Sequence, residues 1–150
     1  MVAGKKKHFN LLVIEDDPAD VDLMREALGP SSDADLSIHL SVIEDPERVK
    51  NYLLGKDPVP DAARPDLILL DLNMPRKGGL EVLKELKGDE QLRTIPVVIL
   101  TTSSAAEDVD RCYQLGANGY VTKAKDFSEF LKIMKTIEEF WFKIATLPKT

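Results

Sequence analysis

The chain has 150 residues, enough for one domain with its own core, and 43% of them are hydrophobic against 31% charged, the balance of a globular protein. Its formal net charge of −6 comes with no basic stripe, which argues against nucleic acid as a primary partner. No apolar run approaches the roughly 20 residues of a membrane span. The stretch after Lys5-Lys6-Lys7 is too short for a secretory signal. One cysteine, Cys112, excludes an internal disulfide and fits a cytoplasmic setting.

Residues 1–8 read as a flexible, solvated tail ahead of a domain spanning 9–150. Residues 9–14 form a short apolar run, the pattern of a strand buried on both faces. Asp17-Pro18 then supplies a helix N-cap with proline at the first helical position, and Val21, Met24 and Leu28 share one face before Gly29-Pro30 ends it. A second strand covers residues 37–43. A helix follows from Pro46 with Val49, Tyr52 and Leu53 inward, and the proline-rich residues 56–65 make a loop. Leu67–Leu70 is the third strand, and Gly78-Gly79 opens a helix with Leu80, Val82, Leu83 and Leu86 as its apolar positions. The fourth strand is 96–100. The next helix runs over 105–115 to Gly116 and carries Cys112 as a small buried hydrophobe. Gly119–Thr122 is the fifth strand, and a last helix runs from about Asp126 toward Thr146. Alternating strands and helices predict an α/β fold: a doubly wound, five-stranded parallel sheet with helices on both faces and right-handed crossovers.

Polar residues mark the C-terminal ends of these strands, where open α/β sheets place their ligands. Glu15 and Asp16 follow the first strand, Asp71 the third, Thr101 the fourth and Lys123 the fifth. Carboxylates brought that close repel, by up to ~4 kcal/mol for a pair ~4 Å apart at an effective dielectric near 20. Lys123 offsets part of this, and a hard divalent cation, Mg²⁺ or Mn²⁺, offsets more. A phosphoryl group on Asp71 would find a metal for one oxygen, the Lys123 ammonium for a second and the Thr101 hydroxyl for a third. Phosphoryl transfer asks for little beyond such positioning and neutralisation. No Ser-His pair supports acyl hydrolysis; His8 falls in the tail and His39 in the second strand, and neither carries a catalytic expectation.

Four segments, Leu12-Val13-Ile14-Glu15-Asp16-Asp17-Pro18, Leu70-Asp71-Leu72-Asn73-Met74-Pro75, Val98-Ile99-Leu100-Thr101-Thr102-Ser103 and Gly119-Tyr120-Val121-Thr122-Lys123, occur in an order and rhythm that resembles the response-regulator receiver domain. The resemblance covers roughly residues 8–140. It implies a flavodoxin-like strand order of 2-1-3-4-5. It implies Asp71 as phospho-acceptor and a Mg²⁺ or Mn²⁺ ion held by Asp16, Asp71 and the Asn73 backbone carbonyl, with Glu15 acting through water. It further implies Thr101, Lys123 and Tyr120 as the phosphoryl-binding and switch residues, and Asn73 and Ser103 as tuners of phosphate lifetime. One position departs: Ala124 stands where receivers usually carry a proline, so a trans Lys123-Ala124 link is expected. The Thr122-Lys123-Ala124 variant and the tail from Ile137 to Pro148 are similar to small regulators that partner cyanobacterial and bacterial phytochromes.

In the last helix, Phe127, Phe130, Leu131, Met134, Ile137, Trp141 and Ala145 fall on one inward stripe, flanked by Ile133, Phe140, Ile144 and Leu147 and, on the other side, Phe142. The apolar arc is roughly 200°, against about 100° for a helix facing only its own core. The excess predicts a cover: a second subunit, a kinase domain or the chain itself. The expectation is a homodimer through this helix and the fifth strand, with Ile133, Ile137, Phe140, Trp141 and Ile144 on the shared surface.

The functional expectation is a regulator without an output domain in a two-component phosphorelay, phosphorylated on Asp71 by a histidine kinase of phytochrome type and signalling by binding. It would be a signalling protein that catalyses only its own phosphotransfer and dephosphorylation. A histidine phosphotransfer protein is a further expected partner. Two alternatives remain open: a pseudo-receiver acting only as a dimeric interaction module, and an aspartyl-phosphate phosphohydrolase. The latter needs a second aspartate two residues after the nucleophile, where this chain has Asn73.

Overall fold

The structure, a computed structural model, describes residues 7–28, 35–56 and 63–148. The helix stop at Gly29-Pro30 and residues 57–62 of the proline-rich loop lie outside the described residues, as do residues 1–6 of the expected tail. The elements are β1 (Lys7–Ile14), α1 (Pro18–Ala27), β2 (Leu36–Ile43), a 3₁₀ turn (Pro46–Arg48) leading into α2 (Val49–Leu53), β3 (Leu67–Leu70), α3 (Gly79–Gly88), β4 (Val97–Thr101), α4 (Ala106–Gln114), β5 (Gly119–Thr122) and α5 (Phe127–Glu138). The five strands form one parallel sheet in the order β2-β1-β3-β4-β5. Fold class and strand order are those expected.

Side chains alternate across the sheet with the period of two that a strand imposes. Leu12, Ile14, Ile68, Leu70, Val97 and Ile99 face α2, α3 and α4, where they meet Val49, Val82, Leu83, Leu86 and the fully buried Cys112. Leu11, Val13, Leu67, Leu69, Val98 and Leu100 face α1 and α5, where they meet Met24, Ala27, Phe130, Met134 and Ile137. Burial pushes the Cys112 thiol up to about 11, with the Asp108 charge adding to the effect, so it stays protonated at neutral pH. Asp17 caps α1 by accepting from the Ala19 N–H at 2.9 Å, with Pro18 at the first helical position. Gly116, at φ +103°, ends α4 in a conformation open to glycine.

β1 starts at Lys7, inside the segment expected to be tail. Lys7 and His8 pair with Leu36 and Ser37 of β2 while their side chains stay exposed. Backbone pairing needs no apolar side chain, so hydrophobic pattern alone misses this extension. Among the described residues every peptide bond is trans, including the Lys123-Ala124 link.

The C-terminal segment differs from the expected helix. After Glu138 it winds into a π-helical stretch, Glu139–Ile144, with the Ala145 N–H donating to the Phe140 carbonyl at 2.7 Å. The wider turn adds a residue per winding and rotates everything after it. Phe142 takes the inward place expected for Trp141: it is 2% exposed, its ring 4.7 Å from that of Phe9. Trp141 and Ala145 are left half-buried. Phe127, the first residue of α5, is 44% exposed rather than inward. Ile137 is expected on the partner surface, but it lies in the chain's own core, because it precedes the change of winding and continues the Phe130-Met134 face. Phe140 and Ile144 stand 47% and 67% exposed.

This arrangement sets a stability contrast. Phe142→Ala is expected to lower unfolding free energy by about 3–5 kcal/mol, the range for emptying an aromatic core site. Phe140→Ala should change it by no more than about 1 kcal/mol. Urea titration of the two variants checks the order; equal losses would mean that an unbroken α-helix, not the π-helical turn, sets the register.

Candidate functional site

The sheet's hydrogen-bond ladder runs one residue past the strands and carries the polar side chains with it. The Glu15 N–H donates to the Ile43 carbonyl at 3.1 Å, the Asp71 N–H to the Ile14 carbonyl at 3.1 Å and the Lys123 N–H to the Thr101 carbonyl at 2.7 Å. Backbone geometry thus fixes acids, hydroxyl and amine at one end of four neighbouring strands. From below, the start of α3 presses against the acceptor loop. A Cβ on Gly79 would lie 2.2 Å from the Asp71 carbonyl oxygen and 2.7 Å from the Leu72 Cα, so only glycine fits.

Glu15, Asp16 and Asp71 bring carboxylate oxygens within 4.8 Å of one another. Glu15 is 1% exposed; it accepts from the Asp16 and Asp17 N–H groups at 3.1 and 3.3 Å and from the Lys123 ammonium. Burial, joined by the hydrogen-bonding and charge of Asp71, pushes its carboxyl up to about 7 despite Lys123. Asp71 is 6% exposed, accepts from the Asn73 N–H at 3.3 Å and lies 3.8 Å from the Lys123 ammonium. Burial depresses the Lys123 pKa, but hydrogen bonds to Asp20 and Glu15 and the charge of Asp71 outweigh it and leave it above the usual lysine value.

Thr101 is fully buried, and its hydroxyl oxygen accepts from the Asn73 amide at 3.3 Å; the same amide reaches the Thr102 hydroxyl at 3.4 Å. Ser103 donates to Asp108 at 2.5 Å and accepts from the Ala105 N–H at 3.3 Å, while its carbonyl accepts from the Tyr120 hydroxyl at 2.8 Å. Burial raises the Tyr120 pKa, so the phenol stays a donor. Glu15, Asp16, Asp71 and Lys123 line a cavity of about 380 Å³ with Asn73 and Thr102, and the buried Thr101 is joined to it through the Asn73 amide.

Two acids in this patch are absent from the sequence expectations. Asp20 reaches Lys123 at 2.7 Å from the first turn of α1, and Asp108 anchors Ser103 from the first turn of α4. Both look in the sequence like acids placed to favour a helix N-terminus. The available signal was position: Asp20 sits beside the buried Val21 at the edge of the α1 stripe, on the helix that follows Glu15-Asp16.

Three clustered oxygen ligands, two of them buried, suit a hard divalent cation, which favours carboxylates at short range. Such an ion would relieve the repulsion from Asp71 that adds to burial in raising the Glu15 pKa.

The response regulator receiver domain family matches residues 11–135, and the chain belongs to it. It is a receiver-domain response regulator. Response regulator Rcp1 of Synechocystis sp. is 39% identical over 138 residues, which cover 92% of each chain. The phosphorylated cyanobacterial phytochrome response regulator RcpA is 42% identical in sequence and superposes with a TM-score of 0.89 over 95% of this chain and 100% of that one. The Mn²⁺-bound form of Rcp1 gives 38% identity and a TM-score of 0.85 over 93% and 99%. No helix among the described residues is long and apolar enough to cross a membrane.

Gly79→Ala tests whether α3 fixes the acceptor loop. The added methyl must push the Asp71-Leu72 backbone away. Mn²⁺ affinity, read by isothermal calorimetry, should fall by about tenfold or more while the protein stays folded by circular dichroism. Unchanged affinity would show that the loop is set without the helix contact.

Proposed function

We propose that the chain accepts a phosphoryl group on Asp71 from a histidine kinase, with Mg²⁺, or Mn²⁺ in its place, as cofactor. The observation that carries this reading is the Glu15-Asp16-Asp71 cluster with the Lys123 ammonium set against it. An Asp71 oxygen attacks phosphorus, the bond from phosphorus to the donor nitrogen breaks, and the leaving imidazole takes up a proton. Asp16, Asp71 and the Asn73 carbonyl hold the metal directly. Glu15, already bound by Lys123 and two backbone N–H groups, acts through water. When bound, the ion supplies positive charge to the phosphoryl oxygens. Lys123 turns from its carboxylates toward the phosphoryl group, and Thr101 gives up the Asn73 amide to donate to it. The Ser103 loop follows, drawing Tyr120 with it; Asn73 and Ser103 set how long the phosphate lasts.

The phosphohydrolase alternative lacks its acid, since Asn73 cannot carry a proton between substrate and water. The pseudo-receiver alternative leaves a complete acidic and cationic set without work. The cognate kinase we infer is of phytochrome type, because the solved relative RcpA is a phytochrome response regulator. A histidine phosphotransfer protein offers the same donor chemistry and is a second candidate partner. Such donors are charged from ATP, which sets the reaction in the cytoplasm.

Incubation with acetyl phosphate and Mg²⁺ should add one phosphate by intact mass. The gain should vanish in Asp71→Asn and fall at least about tenfold when the metal is chelated. No gain in the wild type would leave the pseudo-receiver; continuous consumption of donor would favour the phosphohydrolase.

We also infer a homodimer through the C-terminal segment and β5. Phe140 and Ile144 are exposed, Ile133 and Trp141 half-buried, and the Phe140 and Trp141 rings meet edge to face at 5.2 Å, a ready aromatic anchor. Replacing Phe140 and Trp141 by alanine together should raise the dimer dissociation constant by about a hundredfold or more in sedimentation velocity. An unchanged profile would remove the dimer.

A further inference from the structure

We propose that Asp20 is a positioning residue for phosphoryl acceptance: it holds the Lys123 ammonium on the α1 side of the cavity, and its release is part of accepting phosphate on Asp71. The inference rests on the phospho-acceptor reading above and adds a residue which that reading does not include.

Geometry carries it. The Lys123 ammonium is 2.7 Å from an Asp20 oxygen, a full hydrogen bond, and 3.8 Å from Asp71, outside hydrogen-bond range. The Lys123 side chain is only 6% exposed and its other close partner is the buried Glu15, while the Asp20 side chain is 25% exposed. Asp20 is not among the acids whose oxygens cluster for a metal, which are Glu15, Asp16 and Asp71. Its contact is with the lysine. It also sits on a short, stiff arm. Asp17 caps α1 and Pro18 starts it, which fixes the first turn that carries Asp20, and the helix dipole favours a carboxylate there.

The consequence is a competition. A phosphoryl group on Asp71 needs the ammonium that Asp20 shares with Glu15. A state in which the lysine must first leave a partner binds more weakly by the fraction of time it is free. With Asp20 neutralised, the lysine keeps Glu15 and Asp71, both facing the cavity, and shifts toward the acceptor. Loss of a merely structural residue would slow phosphorylation or leave it unchanged; acceleration is the signature of a competitor.

The test compares rates of phosphorylation by acetyl phosphate with saturating Mg²⁺, read by intact mass, in wild type, Asp20→Asn, Asp20→Ala and Asp17→Asn. Asp17 lines the same cavity, and asparagine keeps its capping role, so this variant removes one nearby negative charge without touching Lys123. Both Asp20 variants should react faster by roughly fivefold, the factor for a partly exposed ion pair. Asp17→Asn should change the rate by less than about twofold. Equal acceleration in all three would assign the effect to charge at a distance and overturn the proposal, as would unchanged or slower Asp20 variants. A wild type that takes no phosphate overturns the acceptor reading and this inference together; a reactive wild type with unresponsive Asp20 variants overturns this inference alone.

Discussion

One ammonium shared by three carboxylates is the interaction on which the C-terminal edge of the sheet depends. Lys123 contacts Glu15, Asp20 and Asp71, which come from β1, α1 and β3, while its own backbone is tied to Thr101 of β4. Most of these groups are out of water, so each is costly without its partner. Removing one member of a buried pair typically costs about 3–5 kcal/mol, because the other charge is left uncompensated. The acids still outnumber the amine, and burial together with Asp71 raises the Glu15 pKa. A site in this condition favours added positive charge and resists further negative charge.

The same packing ties the site to the surface beside it. Asn73 bridges the acceptor loop to Thr101 and Thr102, Ser103 is braced by Asp108, and Tyr120 hangs from the Ser103 carbonyl. These links run in series through a few consecutive residues. A displacement of Thr101 toward Asp71 must break the Asn73 bond and pull the segment that Tyr120 holds. Asp108 opposes this by fixing Ser103 to the first turn of α4. The resting arrangement is thus held by several weak bonds of about 1 kcal/mol each.

Much of this could be read from the sequence because the fold separates its tasks by position. Short apolar runs such as Leu67-Ile68-Leu69-Leu70 between turn signals read as buried strands, and the polar residue that ends each run then lies at the C-terminal end of the sheet. That logic located Asp71, Thr101 and Lys123 together with the acids after β1. It failed for Asp20 and Asp108, because an acid in the first turn of a helix has an adequate local reason to be there. It failed for Lys7 and His8, whose strand pairing uses only backbone. It also failed for Phe142, because a helical wheel assumes constant winding and the chain changes winding at Glu139.

That change of winding bears on how the two ends of the molecule communicate. α5 is capped by Asp126, three residues after Lys123, and its twelve residues span about 18 Å toward the other end of the sheet. There the π-helical turn drives Phe142 against Phe9, near the start of β1. Had the α-helix continued, Trp141 would have filled that place and a different set of side chains would face outward. Instead the segment is pinned at its far end by one buried ring, and Phe140 and Ile144 are turned to the outside. A stiff helix joined at one end to the lysine and wedged at the other against β1 has little freedom except to tilt as a body. The same turn that costs the helix its regular hydrogen bonds thus gives the outer surface its position relative to the site.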